Sequence, residues 1–322
     1  MKMPAATLFA CAALYSISFA LGSAVEVVEE TSEYHVVRHI VSEARIPAEP
    51  ERVVSLTVSL MEALLEFGVP LAGAAPFVVG EDVPHLADAL QGVPKVGSDE
   101  YTLNLEAILA QQPDLILLYA FEGKIVSNLT YKQLSQIAPT VVFDWAHLYD
   151  DFRTGFLEVG ALLGVPKRAA ARLAVYDAAL VEVRATLAEE VPGAKLAIVA
   201  FNGRDIRLRG GRGASGSLLY DSLGFDMPAL TEELAAREEF ATVSLESVPR
   251  LADADFILLQ VDRGDEASEA TLRTLEESSL WRSLPAVRQN RVFSLRSDLF
   301  INTLRANELV TAELVELTSE GE

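Results

Sequence analysis

The chain has 322 residues, half of them hydrophobic, and its 26 Lys and Arg face 47 Asp and Glu for a formal net charge of −21. That length suits about two domains, and the apolar fraction rules out wholesale disorder. The acidity argues against general nucleic-acid binding, which needs a basic footprint, and against adhesion to anionic lipid.

Lys2 precedes an apolar run from Met3 to Ala20, small residues Gly22-Ser23-Ala24, and then acidic Glu26, Glu29 and Glu30. A positive start, an apolar stretch and a small-x-small exit describe a secretory signal peptide over residues 1–24, with cleavage expected after Ala24. The alternative is an uncleaved anchor, because the run approaches the ~20 residues a bilayer requires. Cys11 is the only cysteine, and Leu8-Phe9-Ala10-Cys11 loosely resembles a lipoprotein processing site. The short apolar stretch before it and the long one after it count against a lipid anchor. Without the leader the chain has no thiol for disulfides, metal ligation or nucleophilic attack.

Residues 25–51 read as a flexible acidic segment. Regular patterning starts at Arg52-Val53-Val54-Ser55-Leu56, a short strand, and continues with an amphipathic helix over residues 59–67 that stops at Gly68. A capped helix over 104–109 leads through Pro113-Asp114 into Leu115-Ile116-Leu117-Leu118-Tyr119. Such an unbroken apolar run suits a parallel strand covered on both faces. A helix near 131–136 and a strand over 140–143 close an N-terminal α/β lobe, residues 52–149.

The next stretch, 150–192, is a helical linker broken once at Gly164-Val165-Pro166, where Pro opens a new helix. Leu173, Tyr176, Leu180, Val183 and Leu187 recur at helical spacing along 167–189, a helix roughly 35 Å long. A second β/α alternation runs from Lys195 to a last helix over 303–317, giving a C-terminal lobe over 193–322. Asn104-Leu105-Glu106 before Asp114-Leu115-Ile116 is echoed by Ser244-Leu245-Glu246 before Asp255-Phe256-Ile257. The fold class is therefore α/β, with two related Rossmann-like lobes joined by one long rigid helix.

Several segments, taken in order, resemble the siderophore and cobalamin class of periplasmic substrate-binding proteins that serve ABC importers. They include Pro50-Glu51-Arg52-Val53-Val54-Ser55-Leu56 with Glu62-Ala63-Leu64-Leu65, then Val96-Gly97-Ser98 running into Asn104-Leu105-Glu106-Ala107-Ile108, and Gln112-Pro113-Asp114-Leu115-Ile116. Further on come Leu134-Ser135-Gln136-Ile137-Ala138-Pro139-Thr140, Ser217-Leu218-Leu219 with Leu223-Gly224-Phe225, and Asn290-Arg291-Val292-Phe293. The resemblance implies a ligand cleft between the lobes. It also implies a salt bridge from each lobe, through Glu106 and Glu246, to arginines of the membrane permease. Read from the sequence alone, both glutamates also suit the dipole of a helix first turn.

A cleft at the carboxyl ends of parallel strands needs cationic and aromatic walls to hold an anionic ferric chelate. Arg263, after the strand 256–261, is the leading candidate; a surface Arg paired with Asp262 or Asp265 is the plain alternative. Arg204, Arg207, Arg209 and Arg212 crowd into nine residues, and hairpin alternation sets Arg207 and Arg209 on one side. Of these, Arg209 and Arg212 are the expected ligand clamps, against the alternative of a solvated hairpin tip. Lys124 could add a cation from the first lobe. Tyr101, Tyr119, Phe121, Trp145 and Phe300 fall at strand exits or loops and are candidates to line the cleft. Where many relatives place Arg after the Val-Gly-Ser stretch, this chain has Asp99 and Glu100.

Gly211-Arg212-Gly213-Ala214-Ser215-Gly216 matches G-x-G-x-x-G, so an exported dinucleotide-dependent oxidoreductase is the alternative from a different class. His35, His39, His85 and His147 all precede the long helix, so a bare metal ion bound by both lobes is not expected. His35 and His39 stand four apart, as on one helical face. The expected protein is a non-enzymatic, monomeric, extracytoplasmic or periplasmic binding protein. It captures a ferric siderophore and delivers it to an ABC importer permease, with no resident cofactor or metal and no nucleic-acid partner. On the same fold, cobalamin or haem is the alternative ligand.

Overall fold

The computed structural model describes residues 24–75, 84–97, 103–120, 128–261, 265–296 and 301–319. Residues 25–51, expected to be flexible, instead carry a three-stranded antiparallel meander: β1 (Glu26–Glu30), β2 (Tyr34–Arg38) and β3 (Glu43–Pro47). Its solvent face is acidic, but Val25, Val37 and Ile46 point into the main core. His35 lies in β2 and its Nδ1 meets the Leu162 carbonyl at 3.1 Å, so it shares no helix with His39.

Then follow β4 (Val53–Ser55), α1 (Val58–Glu66), β5 (Leu71–Ala74), α2 (Leu105–Ala110), β6 (Leu115–Ala120), α3 (Asn128–Ile137) and β7 (Thr140–Asp144). The four strands form a parallel sheet in the order β5-β4-β6-β7. The helical stretch comprises α4 (Trp145–Tyr149), α5 (Phe152–Leu162) and α6 (Pro166–Glu190). Gly164, at φ 70°, allows the tight reversal between α5 and α6, and Pro166 occupies the first turn of α6.

The second lobe runs through β8 (Leu196–Asn202), β9 (Asp205–Arg209), α7 (Gly213–Gly216), a π-helical turn (Ser217–Ser222), α8 (Ala229–Ala235) and β10 (Phe240–Val243). A 3-10 segment (Leu245–Leu251) containing Pro249 precedes β11 (Phe256–Val261), α9 (Glu266–Glu277), α10 (Ser279–Arg282), α11 (Pro285–Arg288) and β12 (Val292–Arg296). Its sheet has the order β10-β9-β8-β11-β12, with β8, β11 and β12 parallel and the β9 and β10 edge antiparallel.

Period-2 alternation gives each sheet two buried faces. Val54, Ile116, Leu118 and Val142 fill the outer side of the first sheet, and Ala197, Val199, Ile257 and Leu259 that of the second. The inward residues of both sheets, among them Leu115, Leu117, Val141, Ile198 and Leu258, join a single core with Leu173, Tyr176, Leu180 and Leu187 of α6. Near its start α6 is fastened to the first lobe, because Arg168 donates to the Glu66 and Phe67 carbonyls. Near its end Arg184 donates to the Asp221 carbonyl of the second.

The last helix, α12 (Leu304–Ser319), follows β12 in sequence but packs on α6. Arg172 of α6 bridges Glu66 of α1 and Glu308 of α12. Buried Glu62 of α1 accepts from the Arg305 amide and the Thr303 hydroxyl, both at 2.6 Å, and lies 3.2 Å from His85 Nε2. The last helix thus attaches to elements of the first lobe, although sequence order grouped it with the second.

His39 is 4% exposed; its Nδ1 accepts from the Val41 amide, and burial lowers its pKa to about 4. An unfolded histidine titrates near 6.5, so between pH 6.5 and 4 the unfolded chain binds a proton that folded His39 refuses. Stability is therefore expected to fall over that window, by about 2 kcal/mol on this account. Denaturant unfolding of the native chain and of His39→Gln at pH 7 and pH 4.5 checks this, and the variant should lose less.

Candidate functional site

The course of α6 orients both sheets. It begins beside the C-terminal end of α1, at the amino edge of the first sheet, and ends just before β8, at the amino edge of the second. Its 25 residues span about 37 Å, roughly two strand lengths and a gap. The carboxyl edges of the parallel strands therefore lie between the lobes, where ligands gather in open α/β sheets. Asn302, in the segment before α12, donates its side-chain amide to the Tyr149 carbonyl beyond β7 and so ties that segment to the first lobe.

On the first lobe, β6 and β7 end in aromatics. Trp145 opens α4, whose start is capped by Asp144 accepting from the Ala146 amide. Its ring stacks on Tyr149 at 4.3 Å and lies 4.8 Å from Tyr119. Tyr119 is only 9% exposed and belongs to the core, whereas Trp145 and Tyr149 are half-buried. A ligand at this edge would meet the indole before the Tyr119 ring.

On the second lobe, Ile206 and Leu208 of β9 point into the outer core, which turns Arg207 and Arg209 to the opposite face, as the alternation predicts. Arg209 Nε donates to Gln260 Oε1 at 3.1 Å and Nη1 to Glu239 Oε1 at 2.8 Å. Gln260 is buried within the apolar β11 and donates its other end to the Ser215 hydroxyl. Arg209 is thus held in a network, and its charge is offset by Glu239.

Arg207, which was not singled out as a clamp, lies 4.2 Å over the Phe240 ring. With the Asn202 carboxamide turned to accept, its oxygen takes Nη1 at 2.9 Å and Nη2 at 3.1 Å. Among the described residues the nearest carboxylate, Asp205, is 3.9 Å away. Half-buried Arg207 and exposed Phe240 form a cationic and aromatic pair, with Arg207 two positions from the carboxyl end of β8. The recognisable signal was the same alternation that singled out Arg209. Arg212 is exposed, and its backbone amide bonds the Glu238 carbonyl.

Arg263, Lys124, Tyr101, Phe121 and Phe300 lie outside the described residues. Glu106 and Glu246 are both exposed at the starts of equivalent elements. Asn104 caps the first by accepting from the Ala107 amide, and the Ser244 hydroxyl lowers the Glu246 pKa.

The glycine-rich stretch is not a dinucleotide cradle. The amides of Gly210, Gly211 and Arg212 bond the Glu239, Ala235 and Glu238 carbonyls. A Cβ at Gly210 would meet the Ala235 oxygen at 1.9 Å, and one at Gly216 the Gly210 oxygen at 2.0 Å. Gly210 and Gly211 serve close main-chain packing against residues 235–239, Gly216 packs on Gly210, and α7 has only the four residues Gly213–Gly216. Among the described residues no group of three or more His, Cys, Asp or Glu could hold a metal, and no helix is long and apolar enough to cross a membrane.

A family described as periplasmic binding protein matches residues 53–299. The probable siderophore-binding lipoprotein YfiY of Bacillus subtilis is 29% identical over 266 residues, 80% of this chain and 79% of that protein. The iron(3+)-hydroxamate-binding protein FhuD of the same organism is 28% identical over 256 residues, 78% and 75%. The siderophore periplasmic binding protein from the fuscachelin gene cluster of Thermobifida fusca superposes with a TM-score of 0.67 at 26% identity, covering 85% of this chain and 98% of its own.

Replacing Gln260 by Ala would leave the Arg209 guanidinium with Glu239 alone and remove the donor to the buried Ser215 hydroxyl. A loss of about 1–3 kcal/mol is expected in denaturant unfolding, larger than for the exposed Arg212→Ala.

Proposed function

We propose that this chain, which belongs to the periplasmic binding protein family, is exported, captures a ferric siderophore between its lobes and passes it to an ABC importer permease. The observation that carries this reading is its similarity, over most of its length, to proteins named for siderophore and ferric-hydroxamate binding. The facing walls suit that ligand. Trp145 offers an aromatic surface on one side, and Arg207 over Phe240 offers a cation with a stacking partner on the other. Capture needs no covalent step, because charge-assisted hydrogen bonds and ring contacts hold a chelate intact. Arg212, Arg263 and Lys124 supply further positive charge, and Tyr101, Phe121 and Phe300 further ring surface, while Arg209 and Tyr119, engaged by Glu239 and by the core, back these walls. Glu106 and Glu246 dock the loaded protein to basic residues of the permease.

Two tryptophans make the protein its own reporter. Intrinsic fluorescence is titrated with ferric catecholate, hydroxamate and citrate chelates, cobalamin, haem and NAD. Saturable quenching by at least one ferric chelate is expected. Binding of cobalamin or haem alone would change the ligand class, and binding of NAD alone would overturn the reading. Arg207→Ala should weaken an anionic chelate by about 1–3 kcal/mol.

Charge reversal at both docking positions, Glu106→Arg with Glu246→Arg, should leave chelate affinity unchanged. It should abolish stimulation of the cognate importer's ATPase in proteoliposomes, and retained stimulation would remove both residues from the docking surface.

A further inference from the structure

Glu158 lies in the middle of α5 with a side chain 1% exposed, beside the core residues Phe156 and Val159. An ionised carboxylate so placed is costly without an opposite charge close by. Its Oε1 gathers three donors: the Ala24 amide at 2.7 Å, the Val25 amide at 3.2 Å and His147 Nδ1 at 3.0 Å. Two of the three are main-chain nitrogens, and they belong to the two residues that flank the expected end of the leader. Val25 is itself 3% exposed and packs in the main core, so its nitrogen is fixed beside the carboxylate rather than trailing in solvent.

We propose that the leader is removed between Ala24 and Val25 and that the α-ammonium group so created is the counter-ion of Glu158, which locks the mature N-terminus onto α5. The reaction is peptide hydrolysis by the export machinery's endopeptidase. Water adds across the Ala24–Val25 bond, Ala24 leaves with a carboxylate, and Val25 gains an amine that is protonated at neutral pH. The new group carries three hydrogens. It can therefore replace both the Ala24 amide, lost with the leader, and its own former amide, and it adds a full positive charge where those two amides offered dipoles.

Processing thereby raises stability at the moment the chain is released. Before cleavage the main chain gives the buried carboxylate amide dipoles rather than a charge, which leaves the precursor weaker and suits a chain that crosses a membrane unfolded. Cleavage in the cell rests on the export reading above, whereas the ion pair is tested independently of export.

Two measurements test this. First, chains beginning at Val25 and at Gly22 are released from a fusion partner that leaves no extra residue, each with Glu158 and with Glu158→Gln, and their melting is compared. The Val25 chain should melt about 3–10 °C above the Gly22 chain, and the gap should close in Glu158→Gln. Equal melting of the two Glu158 chains overturns the pair even if the Gln variants fail to fold, and a gap that persists in Glu158→Gln overturns Glu158 as the partner. Second, the first residue of the exported protein is read by intact-mass and N-terminal peptide analysis. Val25 is expected; any other first residue, including a lipid-modified Cys11, overturns the processing assignment while the melting arm still reports on the pair.

Discussion

The structure depends on a single apolar stripe along α6. Leu173, Tyr176, Leu180 and Leu187 serve the inner faces of two sheets at once, so both lobes share one core rather than each closing its own. Close-packed interiors do not deform continuously. A helix embedded in such a core, and tied by Arg168 and Arg172 at one end and Arg184 at the other, resists a wide hinge. The space between the carboxyl edges is therefore largely preformed, and ligand binding should involve small adjustments rather than large closure.

Three buried polar residues mark the joints of this arrangement. Glu62 ties α1 to the returning segment before α12, Glu158 ties α5 to the N-terminal meander, and Gln260 ties β11 to Arg209 and Ser215. Each sits in an otherwise apolar stretch, and each reaches a partner distant in sequence. Apolar residues there would pack without fixing which elements meet. Hydrogen-bonded polar groups penalise every arrangement that leaves them unpaired.

This also explains which features were legible in the sequence. The strands 115–120 and 196–202 are buried on both faces, so composition alone marks them, and Gly164 with Pro166 sets the helix break by local backbone preference. The meander was missed because its strands are mostly acidic outward and contribute only alternate residues such as Val37 and Ile46 to the core. Arg207 and Arg209 were placed on one face by period-2 alternation, a local property. That Arg209 is engaged by Glu239 and Gln260, while Arg207 stacks on Phe240, depends on non-local pairing of β9 with β10 and, across β8, with β11. The glycine motif left a dinucleotide alternative open for a related reason, since its spacing does not show which carbonyls take up its amides.

The position of α12 bears on how the chain acquires its fold. Leu304, Val310 and Leu314 complete the core shared with the first lobe, yet they follow the whole of the second sheet in sequence. Glu62 must wait more than 240 residues for Thr303. Such long-range closure is slow, and the partly folded chain exposes apolar surface until it happens. The first lobe therefore cannot finish folding before the second sheet has been made, so the two halves mature as one cooperative unit and α12 is what seals the first.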